Sequence, residues 1–204
     1  AFTTFNAPTK RGMQGVANDE VNDLAGTNFY NPNWGYQNGE KRNAKVRFQQ
    51  EPTFIFNHYW NINDDLKLTS TLGYTFGTYQ TTALNWYDAQ DPRPDYYRKL
   101  PSYRDTSDPS VVEEIADAFR TDMSVRQLDW DYLYQTNYNS IDAASGNLRS
   151  KYIVENRITD SRQLSFSSVA NWSIIPTLKV NGGIDASMYK GRNYKEISDL
   201  LGAD

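Results

Sequence analysis

The stretch VRFQQEPTFIFNHYWNINDDLKLTSTLGYTF (46–76) decides the fold. Its first half places Val46, Phe48, Gln50, Pro52, Phe54, Phe56, His58 and Trp60 at even positions, against Arg47, Gln49, Glu51, Thr53, Ile55, Asn57 and Tyr59 at odd ones. A period of two marks a strand with unlike faces. After NINDD the alternation resumes, with Leu66, Leu68, Ser70, Leu72, Tyr74 and Phe76 facing away from Lys67, Thr69, Thr71, Gly73 and Thr75. Two such runs joined by a tight turn predict a β-hairpin.

Working outward, the phrase at that turn, WNINDDLKL (60–68), is written again as WSIIPTLKV (172–180). The second copy sits between Leu164, Phe166, Ser168, Ala170, Trp172 and Ile174 on one side and Leu178, Val180, Gly182, Ile184, Ala186 and Met188 on the other. The sequence therefore predicts four long strands, at about 46–60, 66–80, 160–174 and 178–190, with a strand stub at AFTTF (1–5) and a polar C-terminal stretch. Two tight turns alternate with two long connections, 7–45 and 81–151. In the first, residues 18–25 read as a short helix closed by Gly26. In the second, Asp108 as N-cap, Pro109 at N1 and Val111, Ile115 and Phe119 on one face predict one helix.

Composition narrows the function classes. The chain has 204 residues, no Cys and a net charge of −4, so disulfides, thiolate catalysis and Cys-ligated metals are excluded. The longest basic cluster, Lys41, Arg42, Lys45 and Arg47, is too short for a track along phosphates, so no nucleic-acid partner is expected. No apolar run approaches the roughly 20 residues of a membrane helix, a test that a membrane β-barrel passes unnoticed.

A soluble β-sandwich and a membrane barrel both give strands with one apolar face. Three features favour the barrel. The 23 even positions across 52–60, 66–76, 164–174 and 178–188 contain no Asp, Glu, Lys or Arg. The odd positions carry the small polar residues suited to a wet lumen. Trp60 and Trp172 stand beside the tight turns with Tyr74, Phe76 and Tyr189 near the opposite strand ends, the arrangement of the aromatic girdles at a membrane interface. Short turns on one side and long loops on the other set the orientation, turns periplasmic and loops extracellular. Four strands and two stubs are too few for a barrel, which needs at least eight, so the chain is expected to be a piece of a longer one or to oligomerise.

Three stretches, NPNWGYQNGEKRNAKVR (31–47), DPRPDYYRKLPSY (91–103) and LDWDYLYQTNY (128–138), resemble the TonB-dependent outer-membrane receptors of Bacteroidetes-type bacteria. The resemblance implies an all-β fold, an antiparallel transmembrane β-barrel of which this chain is a segment, in the cell outer membrane. It further implies an N-terminal plug, which this sequence lacks, and a nutrient bound among extracellular loops and imported with energy from TonB acting through that plug. The other partners expected are the lipid bilayer, lipopolysaccharide and a surface lipoprotein. Siderophore, glycan, peptide and cobalamin all stay open as substrates. Two alternatives from other classes are a surface-exposed β-protein that binds without transporting, and a secreted carbohydrate-active enzyme.

No catalytic residue, cofactor or metal site is expected. His58, the single histidine, reads as an interfacial residue near Trp60. The loop acids Asp88, Asp91, Asp95, Asp105, Asp108, Asp129 and Asp131 read as solvated, although Asp129 and Asp131 flanking Trp130 could bind Ca²⁺. The ligand-binding candidates are the rings and cation Trp34, Tyr36, Trp86, Tyr96, Tyr97, Arg98, Trp130 and Tyr132. Flat amphipathic rings give contact area at low entropy cost, and the same rings can instead pack the loops on each other. Trp60 and Trp172 are the membrane-interface candidates.

Overall fold

A computed structural model describes residues 1–103 and 108–203. Half of the residues lie in strands, and the sheets are antiparallel. The strands are β1 (Phe2–Phe5), β2 (Thr9–Gly12), β3 (Trp34–Gln37), β4 (Glu40–Asn43), β5 (Val46–Gln50), β6 (Thr53–Asn61), β7 (Leu66–Trp86), β8 (Tyr152–Ile175) and β9 (Leu178–Asp199). The helices are α1 (Asp19–Ala25), α2 (Pro109–Thr121) and α3 (Trp130–Tyr138). One sheet runs β1-β6-β7-β5-β2, with β8 joined to β7 and β9 joined to β8, and β3 pairs with β4 in a separate hairpin. No closed barrel is formed.

The chain divides into two compact units. A strand unit comprises Ala1–Lys10, Phe48–Gln80 and Ile158–Tyr194, and a loop unit comprises Arg11–Arg47, Thr81–Arg157 and Lys195–Asp204.

Within the strand unit the first predicted hairpin holds, with Thr53 opposite Thr75, Phe56 opposite Leu72 and Trp60 opposite Leu68. Asn63 builds its turn, its Oδ1 accepting from the amides of Asp65 at 2.9 Å and Leu66 at 2.8 Å. The faces are fixed by side-chain contacts between strands. Ser70 and Ser168 share a hydroxyl hydrogen bond of 2.9 Å on the even face, and Thr71 donates to Asn57 at 2.8 Å on the odd face. Farther along, Tyr194 donates to Asp160 at 3.0 Å, even to even, and Thr159 to Asn193 at 2.7 Å, odd to odd. Even positions thus share one face on β6, β7, β8 and β9, as the alternation predicts. Phe2, Phe54 and Phe76 extend an aromatic ladder on that face, with centroids 6.3 and 6.1 Å apart.

This unit is a single layer. Among its described residues Ile158 is the only buried hydrophobic side chain. Phe56, Leu72, Phe166, Val180, Ile184 and Met188 stand exposed on the even face, the last two at 66% and 71%. Trp60 and Trp172 are also about half exposed, each beside a tight turn.

The strands differ from the sequence-based boundaries in two ways. The run at 46–60 is broken between β5 and β6 at Glu51–Pro52. Pro52 has no amide to give the ladder, so it interrupts the pairing while its carbonyl accepts from the Phe76 amide at 3.3 Å. Conversely, β7 continues to Trp86, β8 begins at Tyr152 and β9 reaches Asp199, past the expected ends near 80, 160 and 190. Those extensions break the simple alternation: Leu84, Trp86, Tyr152 and Val154 are core residues among polar neighbours, Tyr152-Ile153-Val154 is apolar at successive positions, and beyond Met188 the chain is mostly polar.

The connection 7–45 also holds more than a loop, namely β2, α1 and the β3–β4 hairpin, whose turn places Asn38 and Gly39 at positive φ. Gly26 ends α1 at φ +67°, as predicted, while Asn18 stands just outside the helix as its cap, accepting from the Val21 amide at 2.9 Å. Asp108 caps α2, accepting from Ser110 at 3.0 Å, with Pro109 at the first position. The helix α3 is not predicted, because its sequence WDYLYQTNY has almost no apolar stripe.

Candidate functional site

The loop unit contains the chain's two apolar cores. In the first, Trp130 and Leu133 of α3 pack with Leu128, Ala44, Tyr152, Val154 and Leu201, and Leu84 and Trp86 lie against them. Asp129 starts the helix by accepting from the Tyr132 amide at 2.9 Å. Asn137 ties α3 to its surroundings. Its Nδ2 donates to the carbonyls of Tyr152 at 2.8 Å, Leu200 at 2.9 Å and Leu201 at 3.2 Å, and its Oδ1 accepts from the amides of Lys151 at 2.9 Å and Tyr152 at 3.0 Å. Such a set uses the full capacity of a buried amide. The second core joins Val21 of α1, Tyr30, Leu100 and Phe119 of α2. The Tyr30 hydroxyl donates to the Arg126 carbonyl at 2.9 Å, and burial pushes its pKa well above the ordinary tyrosine value.

The eight ring and cation candidates fall into different environments. Trp130 is 0% exposed, its Nε1 donating to the Arg42 carbonyl at 3.3 Å and the Arg42 guanidinium lying 4.1 Å over its ring. Arg42 is held in turn by Asp199 at 2.5 Å. Trp86 is half-buried against the same core, with Arg93 5.7 Å from its ring. These two indoles pack the loop unit. Trp34 is half-buried, edge-on to the exposed Tyr36 at 5.8 Å and capped by Lys41 at 5.2 Å. Tyr132 is 53% exposed, tilted 6.2 Å from Tyr152.

Besides the Trp34–Tyr36 pair, three of the candidates meet in one cluster. Tyr96 and Tyr97 make an edge contact at 4.8 Å, and Tyr97 makes another at 5.0 Å with Tyr103. Arg98 donates from Nε to the Tyr97 hydroxyl at 3.0 Å. Those hydrogen bonds from Arg98 and Tyr96 lower the Tyr97 pKa. Tyr97 and Tyr103 are each about half exposed, so the cluster leaves two rings and a guanidinium open to solvent.

Asp88, Asp108, Asp129 and Asp131 are exposed, as the solvated reading expects, whereas Asp91 and Asp95 differ from it. Asp91 is buried, accepting from the Arg93 amide at 3.0 Å and pairing with its guanidinium at 2.6 Å. Asp95 lies 3.8 Å from the same guanidinium, and burial raises its carboxyl while Arg93 opposes the rise. The DPRPD motif is therefore a brace that folds its own loop. Asp129 and Asp108 are helix caps, and Asp88 pairs with Arg149 at 2.9 Å. Asp105 lies outside the described residues. Among the described residues no cluster of His, Asp or Glu is assembled that could hold a metal ion.

A site unforeseen in the sequence lies on the odd positions of the loop unit, a groove of about 880 Å³ lined by Asn85, Tyr87, Arg149, Ile153, Glu155, Lys195 and Ile197 among others. Its floor is Glu155, 5% exposed, which accepts from Arg157 at 2.6 Å and Asn85 at 3.1 Å and lies 3.4 Å from Lys195. Burial alone would raise this carboxyl, but the hydrogen bonds from Arg157 and Asn85 and the two nearby cations together hold it below the ordinary range. The signal in the sequence is slight, a Glu and an Arg two apart in VENR (154–157) within a stretch otherwise read as strand approach.

Comparison of the chain with protein-family models, with curated proteins and with solved structures finds no match.

Proposed function

We propose that this chain is a wall segment of an outer-membrane β-barrel receptor, whose loop unit takes part in binding a nutrient outside the cell for import energised by TonB. The observation that carries the reading is the strand unit's uncovered even face, free of charge from Pro52 to Trp60, from Leu66 to Phe76 and from Leu164 to Met188 at alternate positions. A sheet that buried this face in a sandwich would need a second layer, and none is present among the described residues. The span from Leu66 to Phe76 makes about ten steps of roughly 3.3 Å, which at a tilt near 45° rises about 23 Å. That matches an apolar band of about 25 Å. Sheet edges also favour the reading, because β9 pairs on one side only among the described residues, as a strand does when its neighbour belongs to the rest of a barrel.

The role of TonB and of a plug rests on the resemblance of the three loop motifs. Ligand contact is best supported at Tyr97, Arg98 and Tyr103, where exposed rings and a cation converge.

The reading is tested by placing Arg on each face. Leu72→Arg and Ile184→Arg are compared with Thr71→Arg and Ser187→Arg in the full-length protein, read as heat-modifiable folded barrel in isolated outer membranes. Even-face changes should cost roughly 2–4 kcal/mol of assembly, and odd-face changes about 1 kcal/mol or less. Gly183 is unsuitable as an odd-face control, since a Cβ there would stand 2.8 Å from the Ser168 carbonyl. Equal loss on both faces would sink the membrane assignment.

A further inference from the structure

On the even face of the strand unit, charge is excluded up to one level and then returns at once. On β8 the order is Leu164, then Arg162 and Asp160, and on β9 it is Met188, then Lys190 and Arg192; on β7 the step at this level is from Phe76 to the polar but uncharged Thr78. The contact of Thr159 with Asn193 sets the relation of β8 to β9. Counting three residues along each antiparallel strand from that contact brings Arg162 beside Lys190. Like charges facing each other across a sheet repel, so this pairing costs stability unless something anionic lies between them.

All three cations are exposed, and neither Arg162 nor Lys190 has a carboxylate partner among the described residues. Arg192 lies 4.9 Å over the Tyr194 ring, and Tyr194 occupies the one nearby acid, Asp160, by donating to it. In a chain of net charge −4, three cations gathered on one face are an exception. Arg162 lines a hollow of about 330 Å³ together with the apolar Pro52 and Phe76 and the polar Gln50, Thr78 and Asp160. That mixed lining suits an amphiphile, whose chain can lie against Phe76 and whose anionic head can meet Arg162.

We propose that Arg162, Lys190 and Arg192 form a docking site for the phosphate headgroup of a membrane lipid lying against the outer side of the barrel. The site rests on the membrane reading of the even face, and lies at the end of the apolar band opposite the tight turns. The cations act in two ways. They neutralise a phosphate dianion or a pair of phosphates, and the lipid in turn removes the Arg162–Lys190 repulsion, so lipid and sheet edge stabilise each other.

The experiment uses the full-length protein purified in a neutral detergent, with binding of lipid A, phosphatidylglycerol, phosphatidylcholine and inorganic phosphate measured by native mass spectrometry and thermal shift. Each cation near a membrane surface contributes a several-fold factor, so the triple change Arg162→Gln, Lys190→Gln, Arg192→Gln should weaken lipid A and phosphatidylglycerol binding by roughly 10- to 100-fold. Lys67→Gln with Lys179→Gln, at the turn end and on the odd face, should leave binding unchanged. Phosphatidylcholine should bind weakly to all forms. Unchanged binding of the anionic lipids by the triple variant overturns the site, as does inorganic phosphate binding as tightly as the lipids. The Arg scan of the two faces keeps the outcomes apart. If Leu72→Arg blocks assembly while the triple variant binds lipid normally, the barrel stands and the lipid site fails. If the faces respond alike, the membrane reading itself has failed.

Discussion

Trp130 shows how little a residue's type says about its task. It is one of many rings in aromatic loops, and the same chemistry that suits recognition also suits packing. Its neighbours decide the matter, and they come from Ala44, Tyr152 and Leu201, far away in the chain. Trp130→Ala should therefore cost about 3–5 kcal/mol in thermal melts of the full-length protein, while Tyr132→Ala, exposed two residues on, should stay within about 1 kcal/mol. Asn137 is a stricter case. Asn137→Asp keeps the volume but turns an acceptor toward three carbonyls, and we expect a loss of at least about 3 kcal/mol, with the loop unit's amide protection collapsing in hydrogen exchange. Glu155 adds a pH signature. Its folded pKa lies below the unfolded value of 4.5, so its stabilisation is fully present above that value and is lost as pH falls through the folded one. Glu155→Gln should be less stable than the parent protein at neutral pH by about 1–3 kcal/mol, and the gap should close on acidification below pH 4.5. A constant gap between pH 3 and pH 8 would remove Glu155 from that role.

Elements were legible where local chemistry sets them. Asn18 with Gly26, and Asp108 with Pro109, announce helix ends through side-chain capping, positive φ and a missing amide, all short-range effects. Alternation announced β6, β7, β8 and β9 wherever one face was apolar. It failed toward Trp86, before Ile158 and after Met188, where apolar and polar residues do not alternate cleanly and strand identity depends on the neighbouring ladder. The same failure hid the Glu155 groove, whose residues sit on those extensions. Close backbone approach was equally invisible. A Cβ at Gly77 would stand 2.2 Å from the Gln50 carbonyl, so only glycine lets β7 run beside the Glu51–Pro52 break. Gly77→Ala should force the backbones apart and reduce folded yield, whereas an alanine at Gly182, which has open space around it, should not.

At the scale of the whole molecule the two units differ in what keeps them folded. The loop unit has buried cores, braces and caps of its own. The strand unit holds a ladder of backbone hydrogen bonds and almost no buried apolar side chain. Extraction should reveal this, with the full-length protein partitioning into a detergent phase; recovery in the aqueous phase as a folded species would contradict the proposed membrane setting. The free side of β9 carries the matter further. Along its 22 residues the amides and carbonyls of alternate positions face away from β8 with no strand beside them among the described residues, and an apolar stripe runs next to them. Made in a cytosol, away from lipid and neighbouring strands, such an edge is a template for its own kind. Heterologous expression should deliver inclusion bodies rich in intermolecular β-sheet, with an infrared amide band to match, and recovery should require detergent to be present before the denaturant is removed.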